Sequence, residues 1–261
     1  MADSDAARVA NTASYATRDV LHGSPHLNHA SVWTIYERMV RKALGAVRAK
    51  PRVLDLGAGD GTASRLWVEA GASLTAVDTS PEQLRLLKAR HPSAVTVEGD
   101  AIEFLQQQVG RFDVVSHVSM LHHIPDYLAL LRASAGAVAQ GGALLTFQDP
   151  LRYDCLPPGH YVAAQALYIP WRLSEGRVLE GIGNRIRRTR GIFLEDNLDD
   201  QGEYHFHRNG VDSDAILAQL RPDFASTAIE IYFSSHARLA QWLGERMRVR
   251  STFGILATGR R

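Results

Sequence analysis

Between His29 and Val47 the apolar residues Val32, Ile35, Tyr36, Met39, Val40, Ala43, Leu44 and Val47 recur at steps of three and four, which places them on one helical face. After that helix the period changes. "RVLDLG" is a short apolar run ended by glycine, the pattern of a strand buried on both faces in a parallel sheet. "LTAVD", "AVTVEGD", "FDVVSHV" and "GGALLTF" repeat it with helical stretches between them. Strands separated by helices imply right-handed crossovers, so the pattern predicts an α/β fold with a doubly wound, mostly parallel sheet. In "TSPEQLRLL" Ser80 suits the helix cap, Pro81 the first turn and Gln83 the reciprocal bond to the cap, which sets Asp78 at the sheet mouth.

After Pro150 the rhythm breaks through "LPPGHYVAAQALYIPWRL", "GNRIRRTRG" and "EDNLDDQGEYHFHRNG". This stretch reads as an inserted lid. Its Tyr153, Tyr161, Tyr168, Trp171 and Tyr204, with Leu156, Leu167 and Ile169, suit an apolar or ring-bearing ligand, a satellite core being the plain alternative. His205 and His207 stand on alternate positions, and Arg185, Arg187, Arg188 and Arg190 form a basic run near Glu195, Asp196, Asp199 and Asp200. That run reads as a solvated face or as a site for an anion or an anionic membrane. Regular structure then returns as a helix from Asp212 to Leu220, the strand "TAIEIYF", a helix through "ARLAQWLGERM" and the strand "TFGILAT". Two late strands predict an antiparallel finish to a seven-stranded sheet. The expected division is an N-terminal helical segment over 1–50, a ligand-binding core over 51–150, a lid over 151–210 and a completing unit over 211–261.

Composition narrows the picture. The 261 residues are 45% apolar and 22% charged, as in a globular protein with a full core. A net charge of +1 gives no whole-chain case for nucleic acid or for an anionic surface. The opening "MADSDAARVANTAS" lacks a signal-peptide pattern, and the single cysteine, Cys155, fits a reducing compartment, so a cytoplasmic location is expected.

The chemistry concentrates in "VLDLGAGDGTAS". A dinucleotide loop needs G-x-G-x-x-G, and here Gly57 and Gly59 fit while the third position is Thr62. Neither is there a G-x-x-x-x-G-K-[ST] phosphate loop. What stands is D-x-G-x-G-x-G, from Asp55, Gly57, Gly59 and Gly61. Asp78 and Asp100 end the next two strands, and a carboxylate so placed accepts hydrogen bonds from ribose hydroxyls or an amino group, the plain alternative being a cap or turn.

This combination resembles the class I S-adenosylmethionine-dependent methyltransferases, and "FDVVSHVSMLHHIPD" is similar to the segment after the fourth strand in their small-molecule members, ubiquinone-type O-methyltransferases among them. The resemblance implies a cofactor site in which Asp55 engages the ammonium directly or through water and Gly57, Ala58 and Gly59 pass the amino-acid part. Asp78, with Thr79, would hold the ribose, Asp100, Ala101 and Ile102 the adenine, and His117 and Val118 the methionine portion. An N-terminal helical segment folds over the cofactor in such enzymes, where Tyr15 or His26 would close the site.

Methyl transfer to oxygen or carbon requires loss of a proton, for which His122 and His123 are the candidates, with Asp149 of "FQDP" as partner or alternative base. Some relatives carry carboxylates where this chain has Ser119 and His122, and two adjacent histidines do not make a ligand set, so no metal is expected. The expected activity is transfer to oxygen or carbon of a hydrophobic small molecule of quinone, polyketide, terpenoid or lipid type. The alternatives are a methyltransferase-like protein catalysing another reaction, a non-catalytic binding subunit, and, least favoured, an NAD oxidoreductase.

Overall fold

The computed structural model describes residues 25–157, 159–174, 187–188, 190–194, 197, 200 and 203–261, the side chains of 168–174 apart. Seven strands form one sheet: β1 Arg52–Leu56, β2 Ser73–Asp78, β3 Val95–Glu98, β4 Phe112–Val118, β5 Val138–Pro150, β6 Phe224–Tyr232 and β7 Thr252–Arg260. Their order is β3-β2-β1-β4-β5-β7-β6. β1 to β5 pair in parallel, and β7 runs antiparallel between β5 and β6. The expected fold class, including the antiparallel finish, is the one observed. The order reverses direction between β1 and β4, and in open α/β sheets ligands sit outside the strand C-termini at such a switch.

The helices are α1 Ala30–Gly45, α2 Arg65–Glu69, α3 Pro81–Arg90, α4 Ala101–Leu105, α5 Tyr127–Ala137, α6 His160–Ser174, α7 Tyr204–His207, α8 Ser213–Leu220 and α9 Arg238–Arg246, counted among the described residues. Side-chain caps start four of them. Ser80 Oγ accepts from Gln83 N at 3.4 Å, and Asp100, Asp126 and Asp212 cap α4, α5 and α8. Each cap contributes about 1 kcal/mol.

Two apolar layers cover the sheet. Leu121, Leu130, Leu131, Ile216 and Leu220 fill one, and Tyr36, Met39, Trp67, Leu87 and Phe147 fill the other. α1 buries Val32, Tyr36, Met39, Val40 and Ala43 in the core, so its apolar face belongs to the sheet, and residues 1–24, which hold most of the expected cover, lie outside the described residues.

Candidate active site

The glycine loop leaves β1 beneath its neighbours' C-terminal ends. Gly57 N and Ala58 N donate to Val77 O at 2.9 and 3.2 Å, which ties the loop to β2. Gly57, Gly59 and Gly61 all take left-handed φ, at +64°, +53° and +79°. A Cβ on Gly61 would lie 2.8 Å from Leu87 Cγ, whereas one on Gly59 would meet nothing nearer than Gln83 Oε1 at 3.8 Å. Gly61 is there for packing, and Gly59 opens the loop to a ligand.

Asp78 sits where the pattern put it. Its Oδ2 accepts from Gly59 N at 2.8 Å and its Oδ1 from Ser80 N at 2.9 Å. Burial raises its pKa, against the hydrogen bonds that favour the charged form. A pyrophosphate loop needs that glycine N–H for the phosphate. Here a carboxylate holds it, so the loop mouth disfavours an anion and fits a neutral ribose and a cationic amino acid.

Asp55, expected to engage the ammonium directly or through water, lies one layer below the loop surface. It is buried beneath the loop, with Oδ2 accepting from Ser64 Oγ at 2.5 Å. Desolvation pushes its pKa up to about 6, opposed by the hydrogen bond from Ser64. A cation bound over the loop would favour the ionised form through the field. Asp100 caps α4, with Oδ1 accepting from Ile102 N at 2.8 Å and Glu103 N at 3.1 Å. The plain reading of this acid as a cap is therefore realised, and Ala101 and Ile102 follow it as the first residues of α4. Thr79 lies half-buried between Asp78 and Ser80.

His117, expected where the chain passes the methionine portion, turns its side chain into the helix layer. Its side chain is buried under the sheet, with Nε2 bonded to Ser134 Oγ at 2.9 Å, and burial lowers its pKa to about 4. It is a neutral core histidine, because on a strand buried on both faces alternate side chains must enter the helix layer. Its neighbour Val118 is buried on the opposite side of the strand, in the other apolar layer. Tyr15 lies outside the described residues.

The segment after β4 brings the proposed proton acceptors together. Met120 is the side chain that a Cβ on Gly57 would strike, at 3.0 Å, so this segment abuts the glycine loop. His122 follows in a short 3₁₀ turn, Leu121–His123. Its Nδ1 lies 2.8 Å from Asp149 Oδ1, which also accepts from His122 N at 3.1 Å, while Thr146 Oγ1 donates to Asp149 Oδ2 at 3.1 Å. An Nδ1–H donated to Asp149 leaves Nε2 of the neutral ring as an acceptor. The His123 ring packs on His122 at 4.0 Å between centroids. Ser119 and Gln148, at φ +55° and +70°, bend the ends of β4 and β5. Such strained non-glycine positions cluster at functional sites.

Glu203 carries no local signal in the chain. Its Oε2 lies 3.6 Å from His122 Nε2, so the inserted stretch supplies a carboxylate to the same point. His122, His123 and Glu203 offer ligand atoms all within 4.8 Å of one another. The 80-residue separation hid this grouping from any local motif.

Other expected residues take supporting places. His26 Nδ1 meets Ser234 Oγ at 3.0 Å, and its ring lies 4.0 Å from that of His236. Burial holds its pKa well down, with charges on His236, His122 and Glu203 within electrostatic reach. His205 Nε2 lies 3.0 Å from Ile124 O and 3.1 Å from Pro125 O, pinning α7 to the loop after the histidines. Arg187 and Arg188 grip the buried Asp200 at 2.5 Å each, which offsets one of their two positive charges, while Arg190 is exposed. Arg185, Glu195, Asp196 and Asp199, and the side chains of Tyr168, Ile169 and Trp171, lie outside the described residues.

A family model described as "Methyltransferase domain" matches residues 32–189. The ubiquinone biosynthesis O-methyltransferase of Xanthomonas campestris pv. campestris is 39% identical over 98 residues, 36% of this chain and 41% of that protein. The protein of the same name from Bordetella avium is 34% identical over 107 residues, 40% of this chain and 44% of its own. The chain thus spans less than half the length of these curated relatives. Among solved structures, the N-methyltransferase NodS from Bradyrhizobium japonicum, in complex with S-adenosyl-L-homocysteine, superposes with a TM-score of 0.56 at 12% identity, over 95% of this chain and 98% of NodS. An S-adenosylmethionine-dependent methyltransferase from Mesorhizobium loti gives 0.55 at 18%, over 89% and 99%. At these identities the structural likeness speaks for the fold alone.

Proposed function

On the premise that the chain belongs to the class I S-adenosylmethionine-dependent methyltransferases, we propose that it transfers the methyl group of that cofactor to an oxygen or carbon of a hydrophobic small molecule of quinone, polyketide, terpenoid or lipid type. The observation that carries the transfer is the Asp149–His122 pair, with His122 two residues beyond the side chain that abuts the glycine loop. The cofactor, when bound, supplies an electrophilic methyl on a sulfonium. The chain supplies position and a proton acceptor.

Asp78 would receive the ribose hydroxyls, Thr79 and the Asp100, Ala101 and Ile102 segment would line the adenine end, and Gly57, Ala58 and Gly59 would pass the amino acid. Asp149 fixes the tautomer of His122, so that Nε2 takes the proton of the acceptor hydroxyl or carbon acid. After the uptake Asp149 and Glu203 would flank an imidazolium with two carboxylates. His123 packs against that ring and holds its plane. Residues 151–210 would act as the lid, since they deliver Glu203. The lone exposed thiol of Cys155 supports a reducing, cytoplasmic setting.

The test incubates the purified protein with labelled cofactor and a panel of phenolic, quinol and enol acceptors. The reading requires a product heavier by one methyl in place of a hydrogen, together with S-adenosylhomocysteine. Product without a methyl gain would instead mark the non-transferring alternative.

The group His122, His123 and Glu203 favours a second reading, in which a divalent cation held by two nitrogens and one oxygen acidifies the acceptor. The expectation of no metal rests on Ser119 and His122 standing where some relatives carry carboxylates and on two adjacent histidines making no ligand set, and Glu203 adds a third donor to those two. Turnover that survives exhaustive chelation supports the base reading. Turnover lost to chelation and restored by one divalent ion supports the cation.

A further inference from the structure

In a helix lying on a soluble core the large apolar side chains face inward. α9 does the reverse. It buries Ala240, Gln241 and Gly244, and a Cβ on Gly244 would come within 2.2 Å of the Phe233 ring. Leu239 and Trp242 point outward, 69% and 50% exposed, with Met247 just past the helix end at 58%. Leu239, Trp242 and Arg246 follow each other at steps of three and four, Arg238 stands four before Trp242, and all four are exposed on this outer face. The Arg246 guanidinium lies over the Trp242 ring, 4.8 Å from its centroid.

Arg248 and Arg250 extend the cationic rim and are exposed. None of these four arginines has an ion pair among the described residues. The acid on the helix flank, Glu245, is engaged by Ser31 and Gln241. The patch continues onto the first turn of α6, because Arg250 N donates to His160 Nδ1 at 3.1 Å and the adjoining Val162 is 69% exposed. No helix among the described residues is long and apolar enough to cross a membrane.

We propose that the outer face of α9 docks the protein on the surface of an anionic phospholipid bilayer, with Leu239, Trp242 and Met247 entering the headgroup boundary and the arginines pairing with lipid phosphates. Apolar and aromatic side chains rimmed by arginine have the composition of interfacial amphipathic helices. Trp and Arg suit headgroup depth because each has an apolar body and a polar end. A second copy of the chain on the same face would set arginine against arginine across a two-fold axis, which disfavours self-association. The position fits the chemistry as well. Gln241 Oε1 accepts from Ser235 N at 2.8 Å, which ties α9 to the loop whose Ser234 and His236 touch His26 beside the cleft.

The test floats the full-length protein with vesicles of phosphatidylcholine alone and of phosphatidylcholine containing about one third phosphatidylglycerol. Binding is expected on the anionic vesicles only, weakening with salt, with a blue shift of tryptophan emission that Trp242→Phe removes. Leu239→Gln with Trp242→Gln should abolish flotation without loss of helical signal, since both side chains are exposed. Arg246→Gln and Arg248→Gln should each lower the partition roughly fivefold. Failure to float with anionic vesicles, or equal flotation of the double variant, overturns the proposal. So does light scattering that shows a dimer which the double variant splits, because the face would then be an interface between copies.

Discussion

At the scale of single residues the account turns on two carboxylates in unlike surroundings. Asp149 is fully buried but receives three hydrogen bonds, from His122 N, His122 Nδ1 and Thr146. His122→Ala should lower kcat by about 10²- to 10⁴-fold, the usual worth of a general base, while the affinity for S-adenosylhomocysteine stays unchanged. Single-turnover kinetics beside a binding titration separates the two. Asp55 is a buried acid whose pKa desolvation raises to about 6. Between the unfolded value and this folded one the native state holds the extra proton, so stability falls as pH rises through roughly 4 to 6. Asp55→Asn should abolish that decline, worth up to about 3 kcal/mol, as measured by urea unfolding at the two ends of the window. An equal decline in the variant would place its cause in another group.

At the scale of elements the glycine loop and its flanks decide what binds. Gly61→Ala would force a left-handed residue and a 2.8 Å contact on Leu87, and a loss of about 1–3 kcal/mol is expected in thermal unfolding. Most of this level was legible beforehand. Asp78 could be placed from Ser80 and Pro81 because a cap and a first-turn proline fix where a helix starts, and so where the strand before it ends. The His122–Asp149 pairing was foreseeable because parallel neighbours β4 and β5 end at the same edge of the sheet. The direction of the His117 side chain is not legible in sequence, because a strand buried on both faces carries no alternation to tell which side chains enter the helix layer. Asp100 carried two meanings in sequence, cap and ligand acid, and only coordinates show the two backbone amides it receives. Glu203 was invisible, since nothing local marks a side chain delivered from 80 residues away.

At the scale of the whole molecule, order reversal at β1 and β4 puts the glycine loop, the strand-end acids and the histidine turn on one rim, with the inserted stretch brought against it by His205 and Glu203. The rim holds no free loop amide for a phosphate at Gly59, because Asp78 already takes it. The most direct test is isothermal calorimetry of the purified protein with S-adenosylhomocysteine and, separately, NADH. The account predicts one-to-one binding of the nucleoside amino acid, weakened about 10- to 100-fold by Asp78→Ala through lost hydrogen bonds to a charged group, and no heat with the dinucleotide. Tight binding of NADH with no heat from S-adenosylhomocysteine would contradict it.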